Sequence, residues 1–204
     1  MDLALLQQHA LVSIGLCLAA YLGGSISSAV LVCQLFGLPD PRTEGSHNPG
    51  ATNVLRLGGR PAAALTLAGD VLKGVLPVLL ARALELPLLI AALAGWCAFL
   101  GHLWPLFFRF QGGKGVATAL GLLFALHWPS GLVVGAVWLV IFALLRVSSL
   151  ASMSAFLMMP LVIALWQPTI LWPMMLLSAT LIARHHDNIR KLLSGEELGF
   201  RKGR

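Results

Sequence analysis

The side chains that could do chemistry lie in three short polar clusters of an otherwise apolar chain of 204 residues. The first cluster spans residues 44–56, the second comprises 101–102 and 111–118, and the third spans 184–190. They offer hydroxyls, amides, imidazoles and basic groups in glycine-rich surroundings. Hydrogen-bond donors and cations of this kind are suited to binding an anion such as phosphate.

The second cluster contains the run Gly112-Gly113-Lys114-Gly115, placed where a helix is expected to begin. Backbone N–H groups and the positive end of a helix favour an anionic ligand. The run is not a Walker A loop, because no glycine stands five residues before Gly113 and Gly115 occupies the Ser/Thr position. By itself it is only a weak indication of phosphate binding.

The first cluster adds Ser46, Asn48, Thr52 and Asn53 as short polar groups and Arg56 as a guanidinium suited to phosphate. Asn, Gly and Pro are also the residues that make turns. A loop with a purely conformational role is therefore open for this cluster taken alone.

In the third cluster, His185 and Asn188 are three residues apart and are expected to share a helix face near the end of the last helix. The alternative is a basic tail lying on an anionic membrane surface. For Arg201, Lys202 and Arg204 the tail is the preferred interpretation.

Asp70 and Lys73 are also three residues apart, within an apolar stretch. A single charge at the membrane centre costs roughly 2.5–3.5 kcal/mol on insertion scales. We expect the two to form an ion pair, with support of a nearby site as the alternative.

The elements that carry these clusters must be membrane helices. Only 11% of residues are charged, 58% are hydrophobic and the mean hydropathy is +0.85, whereas soluble domains carry roughly 25% charged residues. This composition excludes a disordered chain, a basic nucleic-acid-binding domain and a secreted disulfide scaffold. Cys17, Cys33 and Cys97 fall in apolar stretches without metal-site spacing, so we expect them to be buried and no metal to be bound.

The apolar runs are unbroken rather than alternating, which predicts an all-α, polytopic helix bundle forming a single domain over residues 1–204. About seven transmembrane helices are expected, and five or six stay open because the short fourth run could join the fifth. The predicted spans are 10–36, 62–81, 86–108, 115–128, 130–146, 149–166 and 169–184.

The distribution of Lys and Arg predicts the orientation, with the N-terminus outside and the C-terminus cytoplasmic. With seven spans, twelve of the 14 basic residues become cytoplasmic. Arg82 alone lies outside and Lys73 lies within a span. All three polar clusters then lie on the cytoplasmic side, where they could build one site.

Together the clusters resemble the three signature motifs of the bacterial acyl-phosphate:glycerol-3-phosphate acyltransferase family (PlsY). The matching segments are SHNPGATNVLR, GHLWPLFFRFQGGKGVAT and RHHDNIRKLLSGEE, in the family's order and over nearly the whole chain. DVLKG at residues 70–74 is similar to the family as well. Three such motifs within so short an apolar chain are far more specific than any one of them.

The resemblance implies a seven-helix enzyme of the bacterial inner membrane with its active site at the cytoplasmic face. Such enzymes transfer a fatty acyl group from acyl phosphate to the sn-1 hydroxyl of glycerol 3-phosphate, giving lysophosphatidic acid and phosphate. It implies acyl phosphate, glycerol 3-phosphate and membrane lipids as partners, and neither a metal nor a cofactor. No nucleic-acid partner is expected, and the sequence does not indicate an oligomeric state.

The resemblance also assigns roles residue by residue. The catalytic positions are Ser46, Arg56, Lys114, His185 and Asn188, and the positions that bind substrate or phosphate are Thr52, Asn53, His102, Gly112 and Gly113. His47 replaces the usual glycine, Gln111 a common lysine and Lys191 a common arginine, which bears on substrate preference.

Acyl phosphate is already activated, and the sequence shows no nucleophile with a paired base, so we expect direct attack without a covalent acyl-enzyme. The proton acceptor is either His185 or the donor phosphate, and we favour the latter. Two other classes stay in view. A lipid phosphatase would need histidine where Leu132 follows Pro129-Ser130-Gly131, and a transporter is disfavoured because no inverted repeat is evident.

Overall fold

The computed structural model describes residues 3–197 and 199, with side chains from residue 10 onward. Every regular element in this part of the chain is helical. The α-helices are α1 Leu3–Gly24, α2 Ser28–Leu35, α3 Ala51–Ala83, α4 Leu88–Leu103, α5 Val116–Leu126, α6 Trp128–Leu145, α7 Ser148–Trp166, α8 Leu171–Ala183 and α9 His186–Ser194. Short 3₁₀ helices cover Leu106–Phe108 and Pro168–Ile170. Arg201, Lys202 and Arg204 lie outside the described residues.

Five of the described segments are long and apolar enough to cross a membrane: Ala10–Leu35, Ala51–Ala83, Leu88–Phe108, Trp128–Leu145 and Ser148–Trp166. The shorter apolar helices Val116–Leu126 and Pro168–Ala183 occupy the positions of the fourth and seventh predicted spans. Leu144, Leu157 and Leu165 are more than 70% exposed, as expected of side chains that face lipid. The all-helical prediction is confirmed, whereas the count of seven and the orientation stay predictions.

By its contacts the chain divides into two compact units, one ending at Leu126 and the other beginning at His127. In the first unit α3 packs against α4 and α5, α1 packs against α4, and α2 packs against α3. Glycines allow this close approach: a Cβ at Gly74 would lie 2.0 Å from the carbonyl oxygen of Thr118, and one at Gly24 would lie 2.2 Å from that of Ala98. Small residues at helix contacts are the expected packing device in membranes.

In the second unit α6 packs against α7 and α7 against α8. Trp138 Nε1 donates to Ser152 Oγ at 2.9 Å, and Ser178 Oγ donates to the carbonyl oxygen of Phe156. Such bonds satisfy polar groups that lipid could not. The unit begins at His127, whose ring caps α6 by accepting from the N–H of Ser130.

Two local features add detail to the predicted spans. α3 begins at Ala51, but its helical geometry is broken at Gly59 (φ 73°, ψ −168°), so the helix that follows this kink begins close to the predicted residue 62. Only glycine readily adopts that conformation. α8 ends at Ala183, close to the predicted end at residue 184, whereas Asn188 lies on a separate short helix, α9, rather than on the last long helix.

Candidate active site

The first motif is organised by the side chain of Asn53, which is fully buried in the first turn of α3. Its Nδ2 donates to the carbonyl oxygens of Pro41 at 3.0 Å and Glu44 at 2.9 Å. Its Oδ1 accepts the backbone N–H of Ser46 at 2.9 Å. One amide therefore fixes the loop that presents Ser46, and the phosphate contact of Asn53 stays a prediction.

Gly45 completes this loop with a left-handed backbone (φ 66°), and a Cβ there would lie 2.3 Å from Asn53 Oδ1. The following residues of the motif are helical, because α3 begins at Ala51. Thr52 is half-buried and Arg56 is exposed. The motif is therefore a fixed loop followed by a helix N-terminus rather than the loop expected from the sequence alone.

The second motif returns toward the end of α4 after a tight reversal. Arg109 (φ 55°) and Phe110 (φ 58°) both adopt the left-handed region, and Phe110 N–H donates to the carbonyl oxygen of Pro105 at 2.9 Å. The chain then brings Gly113 N–H to the carbonyl oxygen of His102 at 3.2 Å. This backbone donor, expected to bind phosphate, is thus engaged within the protein.

Gly112 and Gly113 lie so close to His102 that no side chain would fit. A Cβ at Gly112 would lie 2.1 Å from the His102 carbonyl oxygen, and one at Gly113 would lie 2.4 Å from His102 Nε2. The same Cβ at Gly113 would lie 3.1 Å from the carbonyl oxygen of Pro49. The first and second motifs are therefore in contact, and Lys114 follows this junction directly, just before α5 begins at Val116.

Behind the junction lies a buried group of ionisable side chains. Lys73 Nζ donates to Asp70 Oδ1 at 2.8 Å, which confirms the expected ion pair. The same Asp70 oxygen is 3.5 Å from His102 Nδ1. The link to His102 was not predicted, because it joins residues of two different helices.

The third motif lies in the second unit. His185 is buried, and its Nδ1 is 2.7 Å from the carbonyl oxygen of Leu181. A carbonyl only accepts, so Nδ1 carries the proton, and a neutral ring places its lone pair on Nε2. His185 is therefore in the tautomer in which Nε2 can accept a proton.

Asn188 is held by a carboxylate that sequence reasoning missed. Its Nδ2 donates to Glu197 Oε1 at 2.6 Å, and Ser149 Oγ donates to the same oxygen. Glu197 is the last residue of the matching segment RHHDNIRKLLSGEE, a signal that could have identified it, but no role was assigned to it from the sequence. It orients the Asn188 amide and ties α9 to the start of α7.

Asp40 and Arg42, just before the first motif, form a second unpredicted pair. Arg42 donates from Nε to Asp40 Oδ1 at 3.0 Å and from Nη2 to Oδ2 at 2.6 Å. These hydrogen bonds hold the pKa of the Asp40 carboxyl below its usual value. The pair lines a cavity of about 490 Å³ that also involves Phe108, Arg109 and Gln111.

The described residues contain no group of three or more His, Cys, Asp or Glu side chains that could hold a metal ion. Hydrogen-bond donors and cations of the first two motifs lie near two helix N-termini, those of α3 and α5. That arrangement suits phosphate groups.

Comparison with known proteins identifies the family to which the three motifs belong. The family model described as glycerol-3-phosphate acyltransferase matches residues 14–195. A glycerol-3-phosphate acyltransferase of Methylococcus capsulatus is 51% identical over 87% of this chain and 91% of its own. One of Pseudomonas putida is 53% identical over 91% of this chain and 98% of its own.

Two crystal structures are also similar, both of PlsY (YgiH), an integral membrane glycerol 3-phosphate acyltransferase. The glycerol 3-phosphate form has a TM-score of 0.89 and 38% identity, over 93% of this chain and 96% of that chain. The lysophosphatidic acid form has a TM-score of 0.86 and 37% identity, over the same shares. The resemblance read from the three motifs is confirmed: this chain belongs to the glycerol-3-phosphate acyltransferase family.

Proposed function

We propose that this protein transfers a fatty acyl group from acyl phosphate to the sn-1 hydroxyl of glycerol 3-phosphate, releasing lysophosphatidic acid and phosphate. The observation that carries the proposal is the junction of Gly113 with Pro49 and His102, which brings the first and second motifs together next to Lys114 in the sequence. The relatives are glycerol-3-phosphate acyltransferases, and the similar crystal structures hold that substrate and lysophosphatidic acid.

Two phosphate groups must be accommodated, one from each substrate, and the motifs provide cations for both. Arg56 follows the N-terminus of α3, and Lys114 precedes that of α5. A guanidinium, an ammonium and two positive helix ends favour dianionic ligands. We assign Ser46, Thr52, Asn53, His102, Gly112 and Gly113 to the phosphate sites or to the loops that form them.

The proposed reaction is direct attack of the glycerol hydroxyl oxygen on the acyl carbonyl carbon. The new ester bond forms as the bond from that carbon to the phosphate oxygen breaks, and the hydroxyl proton goes to the departing phosphate. His185 Nε2 is the alternative acceptor, and Asn188 is assigned to orienting substrate. The cations offset the charge that grows on the leaving phosphate in the transition state.

We further propose that the enzyme acts in the bacterial inner membrane, with its active site on the cytoplasmic side. Twelve of the 14 Lys and Arg residues fall on that side in a seven-helix topology. The acyl chain would lie along the apolar helices, and the product would leave into the bilayer. Neither a metal nor a cofactor enters the proposed reaction.

Phosphate release by the purified protein in detergent tests the proposal. With acyl phosphate and glycerol 3-phosphate together, we expect phosphate and lysophosphatidic acid in equal amounts. Release without glycerol 3-phosphate would indicate a phosphatase, and no release would favour a transporter. Either outcome would overturn the proposed function.

A further inference from the structure

Asp70 and Lys73 place two opposite charges inside an apolar helix, with 3% and 8% of their side chains exposed. Burying such a pair is costly, and well-packed apolar residues at the same positions are often as stable or more stable. Mutual neutralisation therefore explains how the pair is tolerated and not what it contributes. Its contribution must lie in what else the carboxylate touches.

The carboxylate touches His102, which comes from α4. The distance from Asp70 Oδ1 to His102 Nδ1 is 3.5 Å, and the imidazole is itself buried. A carboxylate beside one ring nitrogen favours the tautomer protonated there and fixes the plane of the ring. The ring of His102 is thus oriented by a group on the neighbouring helix.

His102 in turn supports the glycine loop with both its backbone and its ring. Its carbonyl oxygen accepts from Gly113 N–H at 3.2 Å. A Cβ at Gly113 would lie 2.4 Å from the His102 Nε2 atom. The ring therefore lies directly against Gly113, the residue before Lys114, and its orientation belongs to the packing that holds Gly113 beside the Pro49 carbonyl.

We infer that Asp70 is a positioning residue for acyl transfer: through His102 it sets the glycine loop that carries Lys114. The inference rests on the proposed function, because its consequence is a rate. A shift of about 1 Å in a group that stabilises the transition state can lower turnover about 100-fold. We therefore expect loss of the Asp70 carboxylate to lower kcat.

The test compares D70N with the double variant D70N/K73M. D70N alone leaves Lys73 buried without its carboxylate and could fail to fold for that reason. The double variant removes both charges, so it would restore wild-type turnover if Asp70 only neutralised Lys73. We expect it to fold and to keep a kcat about 10–100-fold below wild type. Turnover indistinguishable from wild type would overturn the inference.

Thr66→Val is the matched control on the same helix. Thr66 is buried one turn before Asp70, and its Oγ1 donates to the carbonyl oxygen of Ala62 at 2.9 Å. The T66V variant removes a buried polar group without touching His102, so its kcat should stay at the wild-type value even if its Tm falls. An equal loss of kcat in T66V would count against a specific role of Asp70.

Nitrogen NMR of protein with isotope-labelled histidine measures the tautomer of His102 and so tests its positioning by Asp70 independently of enzyme activity. H102Q identifies the His102 signal, which should report a proton on Nδ1 in the wild type and a changed tautomer balance in D70N/K73M. An unchanged His102 signal would overturn the inference. Absence of turnover in the wild type would instead overturn the proposed function, with the NMR result still deciding whether Asp70 orients His102.

Discussion

Arg56 and Lys114 are the single residues on which the proposed chemistry depends most. Arg56 lies in the second turn of α3 and Lys114 lies just before α5, so each adds a positive charge near the N-terminus of a helix. Replacing either by alanine should lower kcat/KM about 100-fold or more, because one preorganised donor to the departing phosphate is lost. The measurement is phosphate release by variants whose thermal unfolding matches the wild type.

Arg60→Ala is the control for these variants. Arg60 carries the same charge about one turn beyond Arg56, is exposed and lies on the far side of the Gly59 kink. The R60A variant should retain wild-type turnover. If R60A were as impaired as R56A, a general effect of basic charge would replace the specific role of Arg56.

The ion pair of Asp40 and Arg42 predicts how the stability of the folded protein depends on pH. The hydrogen bonds from Arg42 lower the pKa of Asp40 in the folded protein. The stabilisation is therefore present above the ordinary pKa of aspartate and is lost as the pH falls through the lowered folded value. Because both side chains are partly exposed, at 34% and 23%, we expect less than about 1 kcal/mol.

Thermal unfolding of D40N across a pH series checks this sign. At neutral pH the variant should unfold at a lower temperature than the wild type. The difference should shrink on acidification, because the wild-type carboxylate then becomes neutral too. A difference that persists or grows in acid would show that Asp40 stabilises the loop by other means.

Among the elements, α3 shows how far the sequence predicts this molecule. The break before α4 was predicted, because the apolar runs 62–81 and 86–108 are separate, whereas α4 ends at Leu103, before the predicted residue 108. The first turns of α3 were not predicted, since polar residues followed by Gly59 and Pro61 have the composition of a loop. Gly59 does break the helical geometry, but the residues from Ala51 up to this break are helical as well.

The candidate site shows the same limit. The three motifs and the Asp70–Lys73 pair could be predicted, since each is a local pattern. The contacts of His102 with Asp70 and Gly113 could not, because they depend on how α3, α4 and the returning loop pack together. Glu197 lies between these cases, because it is the last residue of its motif segment but its role follows only from its bond to Asn188.

The kink in α3 gives a prediction at the scale of the helix. Gly59 has a backbone conformation that is essentially restricted to glycine, although a Cβ there would meet open space. G59A should therefore cost about 1–3 kcal/mol of stability or straighten the helix and move Arg56. We expect a lower unfolding temperature, a lower kcat, or both.

Gly15→Ala is the matched control, since Gly15 lies within α1 and a Cβ there also meets open space. In an ordinary helical conformation alanine is favoured over glycine by about 1 kcal/mol. The G15A variant should therefore be as stable as the wild type or more stable, with unchanged turnover. If G59A behaved like G15A, the kink would not depend on the backbone conformation of Gly59.

At the scale of the whole molecule, the turns between helices make the seven-span topology testable. Glu85 is exposed in a turn predicted to lie outside, and Thr169 is exposed at the outer end of the last predicted span. Thr43 and Arg146 are exposed at positions predicted to lie inside. In a background without Cys17, Cys33 and Cys97, single cysteines at these four positions can be labelled with a maleimide that does not cross membranes. With intact inner-membrane vesicles of known orientation, E85C and T169C should react only from the periplasmic side.

T43C and R146C should react only from the cytoplasmic side. R146C is the decisive position, because it follows α6 and its side depends on whether α5 and α6 cross separately. If they formed one bent span, Arg146 and the third motif would change sides while Thr43 stayed cytoplasmic. Periplasmic labelling of R146C would therefore contradict the seven-helix topology. It would also contradict the prediction that all three motifs lie at the cytoplasmic face.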